Sequence, residues 1–264
     1  MDTLFLIKLV LAFLIGGSWV ILATYLADKL GPKIGGLVTG LPSTLLFGLF
    51  FIGWTQSPQA AIAATSIIPL IGGIGSLFLA IFVASLPLGL IRALCISILS
   101  WAILTFIALS GSFHNYFLSF FSYFLLTSLS FFYMEYIVEV KVVEGKRLTY
   151  SALAVASRGL LSGLIIVLSI VLGKVGGPVL GGVMALFPVM FTSTLTIAYL
   201  SHGAEFCKSL AKSAMLASIS IIVYSVSVRL TYIPVGIFLG TFISTIISMI
   251  TGYLIFKFLI SRFN

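Results

Sequence analysis

The sequence predicts an all-α integral membrane protein with about nine transmembrane helices, arranged as two inverted four-helix repeats joined by a connector helix. Three observations predict it. The first is composition: 61% of the 264 residues are hydrophobic and 8% are charged, whereas a soluble domain carries roughly 25% charged residues. The mean hydropathy of +1.28 leaves no room for a separate aqueous domain. The second is a Gly/Pro motif that occurs twice, which sets the architecture before any single residue is weighed. Gly31-Pro32, Gly35-Gly36 and Pro42 recur as Gly177-Pro178, Gly181-Gly182 and Pro188, all at an offset of 146 residues. Apolar residues between them also match: Ile34 with Leu180, Leu37 with Val183, Leu41 with Phe187. Gly and Pro dictate backbone shape, so the same bend is encoded twice. The third is the distribution of basic residues, taken up below.

A spanning helix needs about 20 apolar residues. Spans are expected at roughly 4–26, 34–53, 62–85 and 87–110, then 116–136, then 150–172, 179–200, 208–229 and 233–256. This divides the chain into repeat one (1–111), a connector with a cytoplasmic loop (112–148) and repeat two (149–264). The first apolar run, Leu4 to Leu26, lacks a basic leader and has a counterpart in repeat two, so it is expected to be retained as a helix rather than cleaved. The connector is rich in Phe (117, 120, 121, 124, 131 and 132) and is expected to face lipid.

Orientation follows from the basic loop residues. Lys8, Lys174 and Arg229 fall on the N-terminal side. Lys29, Lys33, Arg92, Lys141, Lys146, Arg147, Lys208, Lys212, Lys257 and Arg262 fall on the other, with Arg158 nearer to it. The expected placement is a multi-pass protein of the cell's inner membrane, N-terminus outside and C-terminus cytoplasmic. The net charge of +8 is then a topology signal and not a nucleic-acid footprint. Four spans plus one connector separate equivalent helices by an odd number of crossings, so the repeats should be antiparallel. Inverted repeats are a transporter signature, with the solute site near the midplane at the repeat interface.

The site candidates follow the prolines. A proline within a helix frees a backbone carbonyl, which in lipid must be satisfied by protein or by a water-lined cavity. Pro42 is followed by Ser43 and Thr44; Pro188 is followed by Thr192, Ser193 and Thr194. These hydroxyls are candidate solute ligands, or they bond carbonyls one turn back, as is common in membrane helices. Gly31, Pro32, Gly35, Gly36, Gly177, Pro178, Gly181 and Gly182 are candidate helix breaks or hinges. Close helix packing through glycine is the alternative for them. Arg158, about eight residues into its span and so roughly 12 Å along a helix, is the outstanding intramembrane charge. It could bind an anionic solute, pair with Glu135, or snorkel to the headgroups.

Chemistry of other classes is weakly represented. Cys95 and Cys207 show no metal or disulfide spacing. No carboxylate sits at the centre of a span, and no HExxH, GxSxG or P-loop occurs. No enzyme activity, cofactor or metal is expected. The partners expected are the bilayer and a small solute or ion, and a homo-oligomer is compatible with the composition. Gly72-Gly73-Ile74-Gly75 reads as packing or a second helix break.

The second repeat carries a resemblance. Arg158, Leu161-Ser162-Gly163, Gly177-Pro178, Gly181-Gly182, Phe187-Pro188 and His202-Gly203 resemble the GlpM-like family of small integral inner-membrane proteins. That family has been linked with exopolysaccharide production, and the resemblance implies no particular activity or substrate. It implies that the repeat arose by duplication of a shorter chain. Ala12 stands where Arg158 aligns, so a role for the arginine would be asymmetric. The leading expectation is a secondary transporter or facilitator of a small solute, an anion in the case that Arg158 binds it. The rivals are a channel of the same fold, or a non-transporting membrane partner of an envelope-polymer system.

Overall fold

The computed structural model describes residues 3–29, 42–111, 115–141, 143 and 150–258. Gly31, Pro32, Gly35 and Gly36, the first copy of the bend, therefore lie outside the described residues. Among the described residues the chain is helical, without strands. Seven helical stretches are long and apolar enough to cross a membrane.

The helices are α1 (Thr3–Lys29), α2 (Ser43–Thr55), α3 (Pro58–Ala64), α4 (Ile68–Ser85), α5 (Leu90–Ser110) and α6 (Tyr116–Phe132), the last ending in a π-turn, Tyr133–Ile137. Then follow α7 (Ala152–Val175), α8 (Pro178–Ala185), α9 (Val189–Ala217), α10 (Ile219–Thr231) and α11 (Ile237–Phe258). Their starts are chemically marked. The Asn115 side chain accepts the amide of Phe117 at 2.9 Å and opens α6. Ser57 and Ser151 cap α3 and α7 by accepting amides three residues on, at 3.1 and 3.2 Å. Pro58 and Pro178 stand at first helical positions, where a missing N–H costs nothing.

The expected nine spans and the seven stretches found among the described residues differ at two places. Of the second expected span, 34–53, the residues from Pro42 on are described, and the helix there, α2, has 13 residues. The seventh and eighth expected spans lie within one long apolar stretch, Pro178–Thr231. It is cut at 186–188, between α8 and α9, and kinks at Gly203, whose φ of 83° and ψ of −175° are non-helical.

The interruptions recur at the offset seen in the sequence. Pro42 (φ −74°, ψ 57°) precedes α2, and Pro188 (φ −76°, ψ 36°) precedes α9. Ser57 breaks the chain between α2 and α3, and Gly203 breaks α9. α4 ends at Ser85 and α10 at Thr231. Gly89 (φ 96°) precedes α5 and Gly236 (φ 80°) precedes α11, one residue further along.

α7 lies along α1, and glycines permit it. A Cβ on Gly17 would meet the Gly159 carbonyl oxygen at 2.9 Å, and one on Gly159 would meet that of Gly17 at 3.0 Å. A Cβ on Gly163 would meet the Phe13 oxygen at 2.9 Å. Near one end of the pair, the Lys174 ammonium lies 3.7 Å from the Phe5 ring centroid. Contacts advance along α7 as they retreat along α1, so the two helices are antiparallel.

The connector α6 packs on α4. Its inward stripe is Ser119, Tyr123 and Ser130, all buried. Ser119 accepts the Leu70 amide at 2.9 Å, and Ser76 bonds Thr127 at 2.9 Å. Phe117, Phe121, Phe124 and Phe132 point outward, as expected for a lipid face, whereas Phe120 and Phe131 are partly buried against the core. Gly72, Gly73 and Gly75 lie inside α4, so that stretch packs and does not break. A Cβ on Gly73 would meet Leu126 and Tyr123 at 3.1–3.2 Å. Large exposed apolar residues line the outer faces of α1, α5, α6 and α11, among them Val10, Phe106, Phe242 and Ile250. That outer belt suits a multi-pass membrane protein.

Candidate functional site

Arg158 is placed by α7, one turn before Ser162 on the same face. Its side chain does not snorkel. It is 2% exposed, deep in the protein. Nη1 donates to Thr194 Oγ1 at 2.8 Å, and Nη2 faces Met190 Sδ at 3.8 Å. Ser162 Oγ faces the same sulfur at 3.5 Å. The Tyr150 ring covers the guanidinium at 5.1 Å. Nε is buried without a hydrogen-bond partner. Met190 and Thr194 are one turn apart at the start of α9, just after the break at Pro188. The positive end of that half-helix and the guanidinium thus share one location, and both favour negative charge.

Among the described residues no carboxylate forms an ion pair with Arg158. The partnership with Glu135 considered from the sequence is not formed. Glu135 instead pairs with Lys212, which is 3% exposed and also donates to the Val140 carbonyl at 2.9 Å. Glu135 lies in the π-turn that ends α6, and its partner Lys212 stands on α9, 18 residues beyond Thr194. Lys8, whose position suggests snorkelling, donates to the Trp54 carbonyl at 2.8 Å. It thereby serves the C-terminal end of α2.

The other candidates distribute as follows. Pro188 caps α9, and Thr194 joins Arg158. Thr192 and Ser193 donate to the carbonyls of Val189 and Met190 at 2.9 and 3.2 Å, the local bonding that threonine and serine commonly adopt. Each keeps oxygen lone pairs for an external donor. Pro42, Ser43 and Thr44 are buried at the start of α2, which packs on α1, α7 and α8 and does not supply a partner to Arg158. Gly177 (φ 93°) and Pro178 form a true break before α8. Gly181 and Gly182 lie inside α8, where a Cβ would meet the Ser169 oxygen at 2.8 Å and the Ala64 oxygen at 2.4 Å. Gly203 gives the second break, and Glu205 beside it holds an exposed ion pair with Lys208 at 2.7 Å.

Sequence reasoning missed Met190 and Ser162 as site residues. The signal was available in helical spacing. Ser162 follows Arg158 by four residues, and Met190 precedes Thr194 by four, so each shares a face with a residue already singled out.

Comparison with known proteins gives a likeness over part of the chain and no chemistry. No curated protein and no solved structure matches the chain. The matched stretch falls on the first expected repeat and stops short of Arg158, so the GlpM-like resemblance, carried by residues 158–203, gains no support from it. Over residues 9–114 the chain is similar to an uncharacterised family, described as protein of unknown function (DUF3147).

Proposed function

We propose that this chain is a secondary transporter or facilitator of a small anionic solute, working by alternating access between two inverted four-helix repeats. One observation carries the reading: a guanidinium 2% exposed, without a carboxylate partner among the described residues, at the start of an interrupted helix. Burying an unpaired charge costs several kcal/mol, on the order of the figures for broken buried pairs. A solute anion that visits the site offsets that cost. Intramembrane arginines mark solute paths by default.

The inverted arrangement is supported by α1 and α7, the equivalent first helices. The 146-residue offset carries Gly17 onto Gly163 and Phe13 onto Gly159. It therefore converts the contact of Gly17 with Gly159 into that of Gly163 with Phe13, and both are made. Such self-exchange of contacts is what a two-fold axis produces. The antiparallel course of the two helices supports an axis in the membrane plane, the relation found between transporter repeats. The N-terminus lies outside and the C-terminus in the cytoplasm, by the charge bias.

Reporter tags beside residues 30 and 175 are expected on opposite sides of the membrane; emergence on one side sinks the inverted arrangement. Alternating access is tested in a background with Cys95 and Cys207 replaced by serine. Ser43→Cys and Ser193→Cys are expected to label from one side at a time, switching with conformation. Labelling from both sides at once indicates a channel, and labelling from neither indicates an assembly partner without a solute path.

A further inference from the structure

We propose that the Nε–Nη2 edge of Arg158 and the Ser162 hydroxyl form a receptor for the carboxylate of a monoanionic solute, and that the Met190 thioether occupies the place until the solute displaces it. This deepens the anion reading above and rests on it.

Two donors converge on one poor acceptor. Arg158 Nη2 and Ser162 Oγ both face Met190 Sδ, at 3.8 and 3.5 Å. A thioether sulfur accepts hydrogen bonds weakly, and an anionic oxygen accepts them strongly. On the same edge of the guanidinium as Nη2, Nε is buried with no acceptor at all. The remaining nitrogen, Nη1, is already committed to Thr194 at 2.8 Å. One edge of the fork is therefore held by protein, and the other is turned toward a sulfur. A free guanidinium edge with two parallel donors matches the two oxygens of a carboxylate.

Charge and shape narrow the class. The site offers a single positive charge with no ion-pair partner among the described residues, which one negative charge balances. Nε, Nη2 and the Ser162 hydroxyl lie to one side, and the Tyr150 ring covers the guanidinium. That donor set suits a planar group lying in the plane of the fork. A tetrahedral dianion would need more donors and a second cation. Met190 suits the part of a displaceable occupant. Its side chain is unbranched, with three rotatable bonds, so it changes rotamer readily. It stands two residues after Pro188, at the start of α9, next to the interruption at 186–188.

The test titrates the purified full chain in nanodiscs with sodium acetate, sodium benzoate and sodium phosphate, at an ionic strength held constant with sodium chloride. Binding is read from the unfolding midpoint, which a specific ligand raises. Acetate and benzoate are expected to raise it, and phosphate and chloride to leave it unchanged. Arg158→Lys keeps the charge and loses the fork, so carboxylate binding is expected to weaken at least about tenfold. Ser162→Ala is expected to weaken it about three- to tenfold. Met190→Leu, which removes the competing acceptor, is expected to tighten it about threefold. Midpoints without ligand show that each variant is folded, and Ser162→Cys stands in should Ser162→Ala fail. If Arg158→Lys and Ser162→Ala bind as wild type while Arg158→Gln does not, the fork is overturned and the anion reading stands. If Arg158→Gln still binds, or if wild type binds none of the probes, both are overturned. Arg158-dependent preference for phosphate overturns the carboxylate class alone.

Discussion

Arg158→Gln is expected to abolish anion uptake in proteoliposomes while leaving the protein at least as stable as wild type. The two halves of this result have different causes. Losing one charged partner from a desolvated contact costs about 2–5 kcal/mol of binding, about thirtyfold to several thousandfold in affinity. The solute-free protein, in contrast, is relieved of an unpaired buried charge. Even a buried ion pair can often be replaced by apolar groups of similar volume at no cost or with a gain of about 1–4 kcal/mol, and an unpaired charge has no ion-pair attraction to lose. Against this stands the single hydrogen bond to Thr194, and glutamine retains an amide to donate. The net expectation is a midpoint unchanged or raised. A residue kept for the fold behaves in the opposite way. Should Arg158→Gln unfold easily and still transport, the arginine belongs to the scaffold and the proposed site is wrong. The measurement pairs thermal unfolding in detergent with uptake of labelled acetate.

Gly182→Ala is expected to cost about 2–3 kcal/mol of stability, a large effect for one methyl group. The new Cβ would lie 2.4 Å from the Ala64 carbonyl oxygen and 3.1 Å from its carbon. The obstacle is backbone, at the end of α3, and cannot rotate away. α8 and α3 must separate, which opens space that the surrounding core does not refill. The intrinsic helix preference of alanine over glycine returns only about 0.5–1 kcal/mol. Gly252→Ala on α11 is the matched control. Its Cβ would sit 3.8 Å from Ser220 Cβ, an ordinary contact, so the change should be neutral or slightly stabilising. Equal midpoints for the two variants would remove the close α3–α8 contact from the description.

The glycines of the second motif copy show where spacing stops discriminating. Gly177 and Gly181 stand four residues apart in one motif, and spacing treats them alike. Gly177 has φ of 93° and breaks the chain, whereas Gly181 is helical and admits a neighbouring backbone. Glycine serves both ends for the same reason, its missing Cβ, so only the position of the neighbours tells them apart. The hydroxyls behave similarly. Thr192 and Thr194 are two residues apart; one bonds its own helix and the other holds Arg158.

What the sequence determined by itself was whatever depends on local backbone chemistry and on solvent. Apolar composition dictates helices that satisfy their own backbone in lipid, and Pro188 falls in the break between α8 and α9 because proline cannot donate, while Pro42 stands directly before α2. The 146-residue recurrence was legible because Gly and Pro are the residues whose backbone demands are strongest. What only the tertiary structure decided was which distant groups meet. Arg158 and Thr194 are 36 residues apart, and Lys212 and Val140 are 72 apart. Pairing at such separations depends on how whole helices pack, and every hydroxyl on an inward face is an equal candidate until they do. That Arg158 turned inward to Thr194 and Met190, leaving Glu135 to Lys212, is a property of the packed bundle: burial leaves a charge no option but the nearest donors and acceptors enclosed with it.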